Sequence, residues 1–176
     1  MGGPVASVLL PRPLTDPDRY FLRKLIDLET RTIGSFDNPF DWSTGLAEWK
    51  GEFLPQVAEE FGFFPEDGVE ISAFCNGREA HRTLGEFCAI LAERFGGIID
   101  FHGALWPSTP VDDLVDISNA EWSVIKPHVD AILCKLPGRV VELMYETGGG
   151  RQWACHFGDT TFTRAWLQHP DFRMIK

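Results

Sequence analysis

The strongest constraint on the fold is the stretch from Val69 to Gly103, which has the pattern of a strand, a helix and a second strand. Apolar residues alternate from 69 to 75, as in a half-buried strand, and the apolar run IIDFH at 98–102 predicts the second strand. The connections are so short that the unit is most simply a right-handed crossover between parallel neighbours. A third strand inserted between the two is the alternative.

The helix of this unit carries signals at both ends. Asn76 followed three residues later by Glu79 predicts a capping box at its start. Gly96 and Gly97 predict a left-handed helix end and an immediate return into the sheet. Gly85 lies inside the helical pattern, where glycine weakens a helix, and therefore indicates a close approach of another segment.

The rest of the chain predicts further strands and helices. Apolar patterns and turn residues favour a strand at 4–10, an amphipathic helix ending near 32–34, a short helix at 55–61, a hairpin of strands at 139–146 and 151–157, and a last helix capped by Asp159. The aromatic series between 36 and 64 predicts an accessory core. We expect an α+β fold, with irregular α/β as the alternative, in which helices pack on one mixed sheet of about five strands.

Length and composition indicate one domain spanning residues 1–176. Of the 176 residues, 44% are hydrophobic, including 14 Phe and 6 Trp, which is enough for a sizeable core. The net charge is −10, from 26 acidic and 16 basic residues. Such a chain is poorly suited to the phosphate backbone of nucleic acids, and we expect no nucleic-acid partner. A basic protein partner fits the charge.

The sequence also indicates the compartment. The apolar run near the N-terminus is too short to span a membrane and follows no basic region, so we expect neither a secretion signal nor membrane association. The four cysteines form no CxxC pair, as is typical of a reducing compartment. We therefore expect a cytoplasmic protein.

A metal site is one chemical hypothesis. Cysteine and histidine side chains are acceptable zinc ligands, and the candidates here are Cys75, His81, His102, Cys155 and His156. Their spacings match no familiar ligand pattern, and adjacent residues of a strand point to opposite faces. We expect neither a metal nor a cofactor.

An enzyme or small-ligand site is a second hypothesis. Cys75 precedes a helix N-terminus, where the macrodipole lowers a thiol pKa. If the two strands of the central unit are parallel neighbours, their carboxyl ends form a site of the kind that α/β sheets use for ligands. The candidates are Cys75, His81, Asp100 and His102. Because Cys75 shares a strand face with apolar residues, burial is favoured, and we assign no catalytic residue.

A partner-binding surface is the third hypothesis. The segment 104–118 combines prolines, a tryptophan and three aspartates, as in an exposed excursion. Together with Asp100, its aspartates could also hold a divalent cation or act as acid and base, although adjacent aspartates more often form a solvated helix entrance. With the histidine that precedes it, this segment predicts an acidic contact surface formed by His102, Trp106, Asp112, Asp113 and Asp116.

Two segments, LGEFCAILAERFGGIIDFHGAL (84–105) and WLQHPDFRMIK (166–176), resemble a small bacterial family of uncharacterised proteins. The resemblance implies no activity, and no residue inherits a role from it. Such proteins are similar to the cytoplasmic immunity proteins that neutralise secreted toxins, and this analogy is based on size and charge. The sequence therefore favours a non-enzymatic, cytoplasmic protein-binding domain, an immunity-type inhibitor of a basic toxin. The alternative is the enzyme or small-ligand site described above.

Overall fold

The computed structural model describes residues 3–32, 40–47, 51–74, 77–105, 122–147 and 151–174. Strands and helices alternate along most of this length. In chain order the elements are β1 Val5–Leu10, α1 Asp16–Thr32, β2 Phe40–Thr44, α2 Leu54–Phe61, β3 Asp67–Ala73, α3 Arg78–Phe95, β4 Ile98–Asp100, α4 Trp122–Leu133, β5 Val140–Thr147, β6 Arg151–Gly158 and α5 Thr160–Gln168.

The strands form one sheet in the order β2-β3-β1-β4-β6-β5. This confirms the α+β class. The described sheet has six strands, where the sequence predicts about five, and each of its neighbouring pairs is antiparallel, where a mixed sheet is predicted. The reason is that β1 pairs with both β3 and β4, so that these two parallel strands never become neighbours.

The position of β1 corrects the expected crossover. The helix α3 joins two strands that lie two strand spacings apart, which is about 10 Å. The inserted-strand alternative is therefore the right one, and the carboxyl ends of β3 and β4 do not meet side by side.

The sheet has two faces of different character. The first face, which carries Val8, Ile71 and Ile99, packs against the helices in the larger hydrophobic core. The helices α3 and α5 contact this side, and α1 packs on α3. The register of the strands places Ser7, Leu9, Glu70, Asp100 and Cys155 on the second face, and the described parts of the chain cover only part of this face.

The covered half of the second face has a smaller core of its own. Phe53 and Val57 of the α2 region are buried against Leu9, Ile98 and Phe157. The expected aromatic core is thus present around Phe53, whereas Phe64 is 55% exposed. Phe36 and Trp49 of the same series lie outside the described residues.

The ends of α3 agree with the sequence in part. The helix begins after Gly77, which occupies the N-cap position without a side-chain cap, so the N-cap is not the predicted Asn76, a residue that lies outside the described ranges. Glycine is an accepted N-cap residue because it adopts the required extended backbone freely. At the other end, Gly96 adopts the predicted left-handed conformation with φ 70°. Gly85 makes the predicted close approach: a Cβ there would lie 2.8 Å from Leu167 Cδ2.

The C-terminal part follows the predicted order. Strands β5 and β6 form a hairpin in register from Val140 opposite Gly158 to Thr147 opposite Arg151. Asp159 caps α5, since its side chain accepts a hydrogen bond from the N–H of Phe162. Within the described ranges, no helix has both the length and the apolar character needed to cross a membrane.

Candidate functional site

A row of polar side chains crosses the half of the second face that α2 leaves uncovered. Ser43 of β2 lies opposite Glu70 of β3, Glu70 lies opposite Ser7 of β1, and Ser7 lies opposite Asp100 of β4. We call these four residues, together with His102, the polar row. Ser43 is exposed, the Glu70 side chain is 37% exposed, and Ser7 and Asp100 are buried. The row therefore leads from solvent at the edge strand into the interior.

His102 joins the row through an irregularity at the end of β4. The backbone carbonyl of His156 accepts a hydrogen bond from the N–H of Phe101, and the backbone N–H of His156 donates to the carbonyl of Gly103. His102 therefore bulges out between Phe101 and Gly103. His102 has φ 60°, in the left-handed region that residues other than glycine rarely adopt. Such bulges re-aim a side chain, and here the imidazole is directed to Ser7 on the second face.

The imidazole lies among three polar side chains. His102 Nε2 is 2.7 Å from Ser7 Oγ, within hydrogen-bond distance. The same nitrogen is 3.6 Å from Glu70 Oε2 and 4.0 Å from Asp100 Oδ2. With 17% of its side chain exposed, His102 separates the solvent-facing part of the row from the buried part.

The buried Asp100 stabilises this arrangement through hydrogen bonds to one of its carboxylate oxygens. Its Oδ1 accepts a hydrogen bond from the backbone N–H of His102 at 2.8 Å, which supports the left-handed conformation. The Cys155 thiol donates to the same oxygen at 3.4 Å. Cys155 is buried, so its thiol acts here as a supporting donor.

The geometry differs from that of a serine–histidine–carboxylate triad. In such a triad the carboxylate holds the imidazole nitrogen that faces away from the serine. Here the closest distances from Glu70 and Asp100 are to Nε2, the nitrogen that bonds Ser7. Two carboxylates beside Ser7 also oppose a negative charge on its oxygen. The row is better suited to receive a polar or cationic group.

No metal centre is formed by the part of the chain that the structure describes. There, no three His, Cys, Asp or Glu side chains are placed to hold an ion. Of the five candidate zinc ligands, Cys75 lies outside the described residues, and the other four take part in separate hydrogen bonds.

A second polar cluster lies on the first face, under α4. The backbone N–H of Leu105 donates to Nδ1 of the buried His156 at 2.8 Å. Glu142 lies 3.9 Å from Nε2 of this histidine and accepts hydrogen bonds from Trp122 Nε1 and Lys126 Nζ. Burial lowers the pKa of His156 to about 4, against an opposing effect of the Glu142 charge. This cluster fixes the chain where the 106–121 segment begins.

The structure brings together only part of the residues expected for an enzyme site. Asp100 and His102 are in contact, as that hypothesis requires. His81 instead accepts a hydrogen bond from the N–H of Met174 and fixes the C-terminal segment on α3. Cys75 lies outside the described residues.

The predicted partner-binding surface is represented in the described residues by His102. Trp106, Asp112, Asp113 and Asp116 lie outside the described residues. Sequence reasoning missed Ser7 and Glu70, the two other members of the row that contact His102. The sequence does indicate both residues, since each is a polar residue within an apolar strand pattern, in VASVLL and in VEIS. The strand register that brings them together depends on contacts between distant parts of the chain.

The comparisons with known proteins agree with the resemblance seen in the sequence. No curated protein and no solved structure matches this chain. A family model matches residues 24–176, which is most of the chain. The expectation of an uncharacterised family is thereby confirmed, and the chain belongs to DUF6368, a family of unknown function.

Proposed function

We propose that the protein is a cytoplasmic protein-binding domain, an immunity-type inhibitor that recognises a basic toxin. The observation that carries the proposal is the polar row, which leads from an exposed edge strand past Glu70 to the buried Asp100. A site with these groups can bind a partner of opposite charge without catalysing a reaction.

The charge distribution of the sheet supports a basic partner. The second face carries the carboxylates Asp41, Glu70 and Asp100, and strands β1 to β4 contain neither lysine nor arginine. A lysine or arginine side chain that approaches from β2 meets Asp41 and Glu70 before it reaches Asp100, and it reduces the repulsion between the carboxylates. Hydrogen bonds between ionised partners are shorter and stronger than neutral ones.

The net charge of −10 adds a long-range effect. Complementary charge steers two proteins together and raises their association rate more than their affinity. Rapid capture is the property that an inhibitor of a toxin needs. In this proposal His102 contributes through its partly exposed side chain, and Trp106, Asp112, Asp113 and Asp116 extend the contact surface.

Co-expression with the product of the neighbouring gene tests this function. We expect a stable complex that survives purification, with an affinity measurable by titration calorimetry. Glu70→Gln should weaken binding about tenfold, which corresponds to about 1.4 kcal/mol. Glu66→Gln, at an exposed position just before β3, is the matched control and should bind normally. If the protein bound a small ligand but no product of a neighbouring gene, the proposal would be wrong.

A second candidate function is an enzyme or small-ligand site around Asp100 and His102, two of the four residues, with Cys75 and His81, that the sequence suggests for such a site. One distance favours it: Ser7 Oγ is 2.7 Å from His102 Nε2, within reach for a nucleophile and its base. A fluorophosphonate probe, which releases fluoride when a serine oxygen attacks its phosphorus, tests this candidate. A covalent adduct mapped to Ser7 by mass spectrometry would support it, and an unmodified Ser7 would show that this buried serine is not accessible to attack a substrate.

A further inference from the structure

An exposed aromatic side chain lies at the end of β3, on the second face of the sheet. Burial alternates along β3 and just beyond it: Ile71 and Ala73 are buried, Glu70 and Ser72 are half-buried, and Phe74 is 60% exposed. The alternation places Phe74 on the side of Glu70 and Ser72, that is, on the second face. A large apolar ring is thus presented to solvent beside polar groups.

The neighbours of this ring are acidic or small. Asp41 of β2 lies opposite Ser72, and Ser43 lies opposite Glu70, so all four side chains share one face. Asp41 and Ser43 are exposed, and Glu70 is partly exposed. An aromatic centre with a polar rim is the common anatomy of a protein interface.

Tyr20 is another exposed aromatic residue, and it lacks this setting. Tyr20 on α1 is 63% exposed, but the ammonium group of Lys24 lies 5.6 Å from its ring centre. Phe74 therefore differs from Tyr20 in its surroundings and not in its exposure. This makes Tyr20 a matched control for any effect of removing an exposed ring.

We propose that Asp41, Ser43, Glu70 and Phe74 form a docking surface for an extended basic segment of a partner protein. An apolar side chain of that segment packs on Phe74, and its flanking lysine or arginine side chains pair with Asp41 and Glu70. The inference rests on the proposed binding of a basic protein and adds where the partner binds and which pattern it presents. A second copy of the chain fits poorly, because two such surfaces would bring carboxylates of equal charge together.

A synthetic peptide of the pattern Lys-Lys-Trp-Lys-Lys serves as the probe, observed through the amide signals of the isotopically labelled full chain. We expect signal changes concentrated at residues 41–44 and 70–74. Phe74→Ala should weaken the peptide at least fivefold, and Tyr20→Ala should leave it unchanged. A peptide with alanine in place of tryptophan should bind as weakly to the wild-type protein as the original peptide binds to Phe74→Ala.

The outcomes separate the docking surface from the proposed function. Changes centred elsewhere, or equal binding by Phe74→Ala, would overturn this surface while leaving a basic partner in place. Amide changes that depend on protein concentration alone would indicate self-association at this face and would also overturn it. If the peptide changes no amide, and the product of the neighbouring gene also fails to bind, then both the surface and the function are wrong.

Discussion

Leu105 donates its backbone N–H to Nδ1 of the buried His156 at 2.8 Å. Because Nδ1 accepts this hydrogen bond, the imidazole is neutral in the folded protein and carries its proton on Nε2, 3.9 Å from Glu142 Oε2. Burial disfavours the charged form and lowers the pKa of His156 to about 4. The hydrogen bond that positions the 102–105 segment therefore depends on pH.

The first prediction concerns stability against pH. In the unfolded chain a histidine binds a proton near pH 6.5, whereas the folded protein resists protonation of His156 until about pH 4. The contribution of His156 to stability should be full above pH 6.5 and be lost as the pH decreases from 6.5 to 4, by up to about 3 kcal/mol. Urea unfolding at a series of pH values measures this decrease.

His156→Asn is the variant that isolates this effect. An asparagine oxygen can still accept the hydrogen bond from Leu105, but the residue does not titrate. The variant should lose the decrease between pH 6.5 and 4 that His156 causes, while keeping the decrease at lower pH that carboxylates such as Asp18 cause. The pKa of Asp18 is held well below its usual range by Arg12 and Thr15. Equal slopes for both proteins between pH 6.5 and 4 would contradict the account.

The second prediction concerns the contact between α3 and the C-terminal segment. In Gly85→Ala the new methyl group would lie 2.8 Å from Leu167 Cδ2 and 2.9 Å from Phe172 Cζ. Alanine improves helix propensity by about 1 kcal/mol, but overpacking costs about 1–3 kcal/mol. The free energy of unfolding should therefore fall by up to about 2 kcal/mol.

Gly51→Ala is the control, because Gly51 is exposed and a Cβ there has no neighbour within 4 Å. Its stability should stay within about 0.5 kcal/mol of the wild type. A Gly85→Ala protein more stable than the wild type would show that Leu167 and Phe172 do not pack this closely on α3.

The third prediction concerns the backbone of His102. Both His102→Gly and His102→Ala lose the hydrogen bond to Ser7, so both should be less stable than the wild type. Only glycine adopts φ 60° freely. The glycine variant should therefore be more stable than the alanine variant by about 1 kcal/mol. Thermal unfolding compares the two, and an alanine variant equal to or better than glycine would argue against a left-handed residue at this position.

Local features of the fold were predictable because adjacent residues determine them. The hairpin of β5 and β6 needs only a short connection, and the end of α3 needs only the left-handed Gly96. The strand order was not predictable in the same way. It depends on Val8 of β1 pairing with both Val69 and Ile99, which are far from it in sequence.

The candidate site shows the same division. Asp100 and His102 are two residues apart, so their proximity follows from the sequence. Ser7 and Glu70 join them only through the register of three strands. The turn of the His102 side chain towards Ser7 also needs the bulge at residues 101–103, which no short sequence pattern indicates.

Recognition of a basic protein by an acidic surface is the central claim, and the salt dependence of the association rate tests it most directly. The measurement uses the complex with the basic product of the neighbouring gene, in stopped-flow mixing at increasing sodium chloride. We predict that the association rate constant falls at least about tenfold between roughly 50 and 500 mM salt, while the dissociation rate changes little. An association rate that is independent of salt would contradict electrostatic recognition of the partner.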